Sequence, residues 1–248
     1  MTRLARIKAE AVASWKSFVR RRTAVFFTFG FPLILVGIFG VVVQTDPTGG
    51  GLFGRPVGYY VAGYLAVIVL FTPLSRVGST IARYRDKRRF EKLATTPLGR
   101  AEWLFAHALV NTTVILLAST LVIAVLLIFT DTAMVLSPHL LPFIVAAVFV
   151  FVGLGAILGR LAGSQDGVIA ASNGVALPLV FLSETFIGPS LLPEWLQLAM
   201  ELSPLTYFAR GVRAVTHFGE PAMLELAILG VLAVGFFALG AFAVPTGE

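Results

Sequence analysis

Long apolar runs without charge, separated by short polar segments, are the main pattern of the chain. Five runs lack Asp, Glu, Lys and Arg entirely, namely residues 23–45, 56–75, 103–130, 132–159 and 226–247. A shorter sixth run, residues 167–183, ends just before Glu184. Because a helix needs about 20 apolar residues to cross the hydrocarbon core of a bilayer, the pattern predicts six transmembrane helices. Their expected positions are near residues 24–44, 57–80, 104–129, 140–160, 167–187 and 222–244.

The composition agrees with a membrane protein. Hydrophobic residues make up 57% of the chain and charged residues only 13%, whereas soluble domains carry about 25% charged residues. The net charge of +6 comes from basic residues beside apolar runs, a placement that favours lipid headgroups over nucleic acid as the partner. There is no cysteine, which excludes disulfide bonds and zinc–thiolate sites. Residues 1–248 are therefore expected to form a single all-α integral membrane domain.

The basic residues also predict the orientation. Seven Lys and Arg precede residue 23, and seven more lie in residues 83–102, on the same side of a six-span protein. The opposite side holds only Arg55, Arg210 and Arg213. By the positive-inside rule, this distribution predicts a multi-pass plasma-membrane protein with both termini in the cytoplasm.

The N-terminal segment, residues 3–22, is predicted to lie on the inner membrane surface, and its residues 3–19 have the pattern of an amphipathic helix. Apolar residues recur there at helical spacing, with Lys and Arg on the flanks. They are Leu4, Ile7, Ala11, Trp15 and Phe18. The alternative is a frayed basic tail.

Motifs for catalysis are missing from the sequence. A nucleotide-binding loop requires Gly-x-x-x-x-Gly-Lys-Ser/Thr, yet no lysine follows a glycine. The three histidines lie in different segments without the spacing of metal ligands. We therefore expect a protein that is not an enzyme, with no catalytic, metal-binding or cofactor-binding residue in this chain.

Three glycines at the inner end of the fourth span, Gly155, Gly159 and Gly163, form overlapping small-xxx-small repeats. This spacing lets two helices approach closely. Packing within the chain is the favoured interpretation, and a seam between two copies is the alternative.

The region after the fifth span, residues 186–220, is apolar but interrupted by proline and glycine. It predicts two short re-entrant helices at the outer leaflet, the second with Ser203 as N-cap and Pro204 at its first position. Arg210 and Arg213 would share a face, where Glu201 or Glu220 could pair with them.

Glu184 precedes this outer segment, roughly 26 Å along a helix from Gly167. Two interpretations remain open for it. An acid within the membrane is a candidate for function. The alternative is an interfacial carboxylate that faces water or caps a helix.

The segment between the second and third spans, residues 83–102, is the longest cytoplasmic loop. Its sequence Glu91–Pro97, EKLATTP, reads as a short helix that stops before a proline. The mixture of charges suits contact with another protein better than contact with lipid alone.

Three motifs in order resemble the membrane subunits of type-2 ATP-binding-cassette (ABC) exporters. They are EKLATTP at 91–97, FLSETFIGPSLLPEW at 181–195 and PLTYFARGVR at 204–213. The six predicted spans also agree, so the resemblance covers essentially the whole chain. The chain departs from the family pattern at Arg89-Phe90, at Ser183-Glu184 and at Ser203.

The resemblance implies an exporter built from two permease subunits, expected to be a homodimer, and two separate ATPase subunits that bind ATP. Its ATPase-coupling residues would be Asp86, Arg88, Glu91, Lys92, Leu93, Thr96 and Pro97. Its outer gate and substrate path would include Phe181, Ser183, Glu184, Phe186, Pro193, Trp195, Pro204 and Arg213. The alternative function is a stand-alone membrane scaffold or a secondary transporter without an ATPase partner.

Overall fold

The computed structural model describes residues 2–38, 55–130, 132, 134–186, 188–189 and 192–245. All regular elements within these residues are helical. They are α1 Arg3–Val19, α2 Arg22–Val36, α3 Val57–Asp86, α4 Arg89–Ala94, α5 Arg100–Phe129, α6 Leu140–Leu161, α7 Gln165–Phe181, α8 Glu194–Leu202, α9 Pro204–Arg213 and α10 Met223–Ala243. A π-helical turn, Ala214–Phe218, continues α9. The all-α prediction is confirmed for the described part of the chain.

Polar side chains begin several of these helices. The Thr2 hydroxyl accepts a hydrogen bond from the backbone N–H of Ala5 at 3.3 Å, and Ser164 accepts one from Gly167 at 3.0 Å. Glu102 reaches back to the Gly99 N–H at the start of α5. Such contacts satisfy backbone donors that the first helical turn leaves unpaired.

Four helices among the described residues are long and apolar enough to cross a membrane, namely α3, α5, α6 and α10. The predicted first span is described only as far as residue 38, so part of it lies outside the described residues. The predicted fifth span corresponds to α7, which has 17 residues. The count of six spans therefore stays a prediction.

The predicted end of the fifth span was wrong. We expected helix to residue 187, but α7 ends at Phe181. There the Ser183 hydroxyl donates to the Val180 carbonyl at 3.0 Å and bonds to the Thr185 hydroxyl, and the chain turns. Glu184 consequently lies in a turn and not on a helix 26 Å long, as its sequence position suggested.

Helix α3 is the centre of the bundle. It packs against α5, α6, α7 and α9, and 78% of its most apolar window is buried. Glycines allow its closest contact, with α6. A Cβ at Gly159 would lie 2.8 Å from the Gly78 carbonyl oxygen, and one at Gly155 would lie 2.7 Å from the Leu74 carbonyl oxygen. Packing within the chain is thus confirmed for Gly155 and Gly159, whereas Gly163 faces open space.

The N-terminal helix α1 lies along α5. Its bounds match the predicted helix of residues 3–19, so the alternative of a frayed tail was wrong. Phe18 is buried and clusters with Val110 and Val114 of α5. Leu4, which we placed on the same apolar face, is 76% exposed. The contact of α1 with a membrane surface stays a prediction.

Candidate functional site

The segment predicted to couple to an ATPase is a sharp connection between α3 and α5. Asp86 is the last residue of α3, and Arg88 has a left-handed backbone, with φ 50°, that lets α4 begin in a new direction. The structure thus narrows the connection from residues 83–102 to residues 87–99.

The predicted extent of the coupling helix was partly wrong. We expected a short helix within residues 91–97 that stops before Pro97. Helix α4 does stop before Pro97, but it begins earlier, at Arg89, and ends at Ala94. The hydroxyls of Thr95 and Thr96 donate to the carbonyls of Lys92 and Leu93 at 2.8 and 2.7 Å. These bonds satisfy carbonyls at the helix end.

One aromatic side chain attaches α4 to the bundle. Phe90 is buried, and its ring centroid lies 5.7 Å from that of Tyr84 on α3 and 5.7 Å from that of Trp103 on α5. The three rings thus join α4 to one end of each long helix. Sequence reasoning missed Phe90 as an anchor, although a lone aromatic residue in a charged stretch was a usable signal.

The remaining side chains of α4 are available to a partner. Glu91 and Lys92 are exposed, and Leu93 is half-buried. The ion pair between Arg88 and Glu91, at 3.9 Å, is exposed on both sides and adds little stability. A groove with a volume of about 450 Å³ separates α4 from residues at the end of α10, Val244 and Pro245.

Two further sets of hydrogen bonds connect the α6–α7 turn and helix α1 to the ends of α3 and α5 that flank α4. Arg85 of α3 donates to the Arg160 carbonyl at 2.9 Å and to the Ala162 carbonyl, which holds the turn between α6 and α7. Arg6 of α1 donates to both carboxylate oxygens of Glu102, at 2.9 and 2.6 Å. A bidentate pair of this kind fixes orientation as well as distance.

Away from α4, Glu184 accepts hydrogen bonds from two arginines, Arg210 and Arg213. Arg210 donates to Glu184 through Nε at 2.7 Å and through Nη2, and it also donates to Glu201. Hydrogen bonds to Glu184 first, and to Glu201 second, raise the pKa of Arg210. Pairing of Glu201 with Arg210 confirms one of the two predicted partners, whereas among the described residues no ion pair joins Glu220 to either arginine.

Arg213 is buried in the middle of this network. Its Nη2 donates to the Glu184 carbonyl at 2.6 Å, and its guanidinium lies 4.1 Å from the ring centroid of Tyr59 on α3. Burial lowers the pKa of Arg213 from its usual value. Arg213 thereby joins α9, the turn after α7 and the first turn of α3. The sequence did not reveal that Tyr59 contacts this arginine.

The predicted gate residues divide into two groups. Ser183 is buried directly before Glu184, Pro204 is buried at the first position of α9, and Phe186 packs beside Tyr64 of α3. Three others are exposed. They are Phe181, which is 59% exposed, Trp195, which is 75% exposed, and Pro193, the exposed residue before α8.

The two short helices predicted within residues 186–220 are confirmed as α8 and α9, with Pro204 at the first position of α9. Ser203 occupies the predicted N-cap position, but its side chain makes no capping hydrogen bond. The prediction of two helices is therefore confirmed, and the prediction that Ser203 caps α9 with its side chain was wrong. Their depth in a membrane stays a prediction.

Comparison with known proteins identifies the family of the chain. Residues 6–216, which include α4 and the Glu184 network, match the family described as ABC-2 type transporter. The chain is 25% identical over 204 residues to the daunorubicin resistance ABC transporter permease protein DrrB1 of Streptomyces coeruleorubidus, covering 77% of this chain and 69% of that protein. The chain belongs to the ABC-2 type transporter family and is a transmembrane permease subunit of an ABC exporter.

Proposed function

We propose that two copies of this chain and two ABC ATPase subunits form the working exporter. ATP would bind to the ATPase subunits, while this chain supplies the path for the substrate. The family membership favours this interpretation over a stand-alone scaffold or a secondary transporter. The clustering of Lys and Arg favours an orientation with α4 and both termini in the cytoplasm.

The observation that carries the coupling proposal is the construction of α4. Its buried face is fixed by Phe90 to both long helices, and its exposed face presents Glu91 and Lys92. A force on the exposed face would therefore move the ends of α3 and α5 together. The turn held by Arg85 would offer the ATPase a second, smaller contact.

We propose the Glu184 network as the core of an outer gate. Arg210 and Arg213 hold the turn after α7 against α9 and the first turn of α3. Opening would require the charge-assisted hydrogen bonds to exchange or break. Trp195, which is largely exposed on α8, has the amphipathic ring suited to the membrane–water interface.

We propose that the permease dimer forms along one face of α7. Ile169, Asn173, Leu177 and Phe181 recur every four residues and are exposed. None of the described residues forms a hydrogen bond with the Asn173 side chain. Because an amide group facing lipid is unfavourable, this face suits a second copy or the substrate path.

Exchanging the charges at Arg88 and Glu91 tests the coupling proposal. The double variant Arg88→Glu, Glu91→Arg preserves the net charge of the loop, so the topology signal is unchanged. We expect normal membrane insertion but reduced co-purification with the cognate ATPase, and reduced substrate-stimulated ATP hydrolysis. The control is Arg20→Glu, an exposed change on the same side. Unchanged co-purification and hydrolysis in the double variant would contradict the role of α4.

A further inference from the structure

A small basic cavity, separate from the Glu184 network, lies beneath the N-terminal helix. Its wall includes Tyr84, one of the rings against which Phe90 of α4 packs. It has a volume of about 40 Å³, room for about three waters at the ~10–15 Å³ that one water requires. Residues from α1, α2, α3 and α5 surround it. The polar ones that matter here are Ser14, Ser17, Arg21, Arg76, Thr80 and Arg83.

Two arginines on one face of α3 supply most of the charge. Arg76, Thr80 and Arg83 stand at i, i+4 and i+7, so they share a helix face. Arg83 donates to the Thr80 hydroxyl at 3.0 Å, and the Arg76 guanidinium lies 4.5 Å from the ring centroid of Phe18 on α1. Both arginines are half-buried. Their positions are therefore fixed by packing.

The cavity concentrates positive charge without an acid to balance it. Arg76 also donates to the Asn111 side chain at 3.4 Å, a neutral acceptor. Among the described residues no carboxylate pairs with Arg21, Arg76 or Arg83. No Asp or Glu is among the described residues that line the cavity. Glu10 lies 3.3 Å from Nε2 of His107, a lining residue, and Glu102 pairs with Arg6.

An arginine keeps five N–H donors, and each guanidinium here uses only one in a hydrogen bond with a described residue. Half-buried like charges repel each other unless an anion compensates them. Planar guanidinium groups beside hydroxyls match the oxygens of a phosphate group. The chemistry of the cavity is thus that of a phosphate-binding site.

We propose that this cavity binds a phosphate group, that of an anionic phospholipid headgroup. The proposed orientation places it at the inner leaflet, where anionic lipids supply such groups. Ala24 of α2, which is half-buried, forms an apolar part of the wall, along which acyl chains would run. Lipid in this cavity would join α1 and α2 to α3 and α5.

Thermal unfolding of the purified chain in detergent tests the proposal, with three probes added separately. They are phosphatidylglycerol, phosphatidylcholine and inorganic phosphate. We expect phosphatidylglycerol to raise the Tm and to remain bound in native mass spectrometry, with little effect from the other two probes. The variant Arg76→Gln, Arg83→Gln should weaken phosphatidylglycerol binding by about tenfold or more.

Two further variants separate the site from general charge and from misfolding. Lys8→Gln removes an exposed charge from α1 outside the cavity and should bind the lipid like wild type. Ala24→Phe keeps every arginine, narrows the cavity and should lose binding. Size-exclusion chromatography establishes that each variant is folded.

The possible outcomes are distinct. If inorganic phosphate stabilises the wild type as well as the lipid does, and the arginine variant loses both effects, the phosphate site stands and its lipid source is overturned. If the arginine variant and Ala24→Phe both bind phosphatidylglycerol as tightly as Lys8→Gln does, the site itself is overturned.

Discussion

At the scale of single residues, Glu184 is the acid on which two arginines converge. Its side chain is 11% exposed, whereas that of Glu201, the second partner of Arg210, is 48% exposed. Ion pairs at exposed positions contribute little, while buried ones are costly to break. The two acids therefore allow a matched comparison around one arginine.

We predict that Glu184→Gln destabilises the protein more than Glu201→Gln does. The amide keeps the shape but replaces charged hydrogen bonds with neutral ones, at a cost of about 1–2 kcal/mol. For a chain of this length that corresponds to a fall in Tm of about 2–8 °C. Glu201→Gln should cost less than about 1 kcal/mol. Both Tm values are measured by thermal unfolding in the same detergent.

The same pair of variants tests the gate. Transport measured at matched membrane expression should fall further in Glu184→Gln than in Glu201→Gln, because only Glu184 also contacts the Arg213 side of the network. Equal Tm and equal transport in the two variants would contradict the role assigned to Glu184.

At the scale of elements, α4 depends on one side chain for its position. A helix of six residues is not stable on its own in water, so its folding relies on tertiary contacts. Phe90 is its only buried residue. The position of α4 should therefore be sensitive to substitution of Phe90 and tolerant of substitutions elsewhere in the helix.

We predict that Phe90→Ala loosens α4 without unfolding the bundle. Loss of a buried phenylalanine costs about 3–5 kcal/mol, and here the cost falls on one short element. Trypsin cleavage after Arg88, Arg89 and Lys92 should become faster by about tenfold or more. Leu93→Ala, which alters a half-buried residue of the same helix, is the control. Equal cleavage rates for wild type and Phe90→Ala would contradict the anchor.

Helix positions were more predictable than helix ends. Residues 3–19 followed from apolar periodicity, and the start of α9 followed from Pro204, because both signals are local. The ends of α4 and α7 did not. Thr95 and Ser183 end these helices through hydroxyl bonds to nearby carbonyls, which composition does not reveal.

The candidate site was predictable in the same uneven way. The motif residues Glu91 and Glu184 could be found from the sequence, since charge in an apolar chain is conspicuous. The aromatic side chains that position these two segments were missed, although Phe90, a lone aromatic residue in a charged stretch, offered a usable signal. Phe90 and Tyr59 act through contacts between distant segments, and their roles depend on how α3 packs in the fold.

At the scale of the whole molecule, α3 limits how a second copy can approach. Its apolar window is mostly buried within its own chain, so it leaves little surface for a partner or a substrate. Helix α7 packs against α3 and retains an exposed face that carries Asn173. Helix α10 is also exposed, but Val231 and Val234 on it are apolar and suit lipid.

Cysteine cross-linking can locate the dimer contact, because the chain has no cysteine of its own. We predict that Asn173→Cys or Leu177→Cys, with a mild oxidant in membranes, gives a disulfide-linked dimer on a non-reducing gel. A disulfide forms only when two Cβ atoms approach to about 3.5–4.5 Å, so the product reports close contact. Val231→Cys, on α10, should stay monomeric although Val231 is more exposed than Leu177, 74% against 50%. If Val231→Cys cross-links to the same extent, the disulfides report random collision. If neither Asn173→Cys nor Leu177→Cys cross-links, a homodimer along this face of α7 is contradicted.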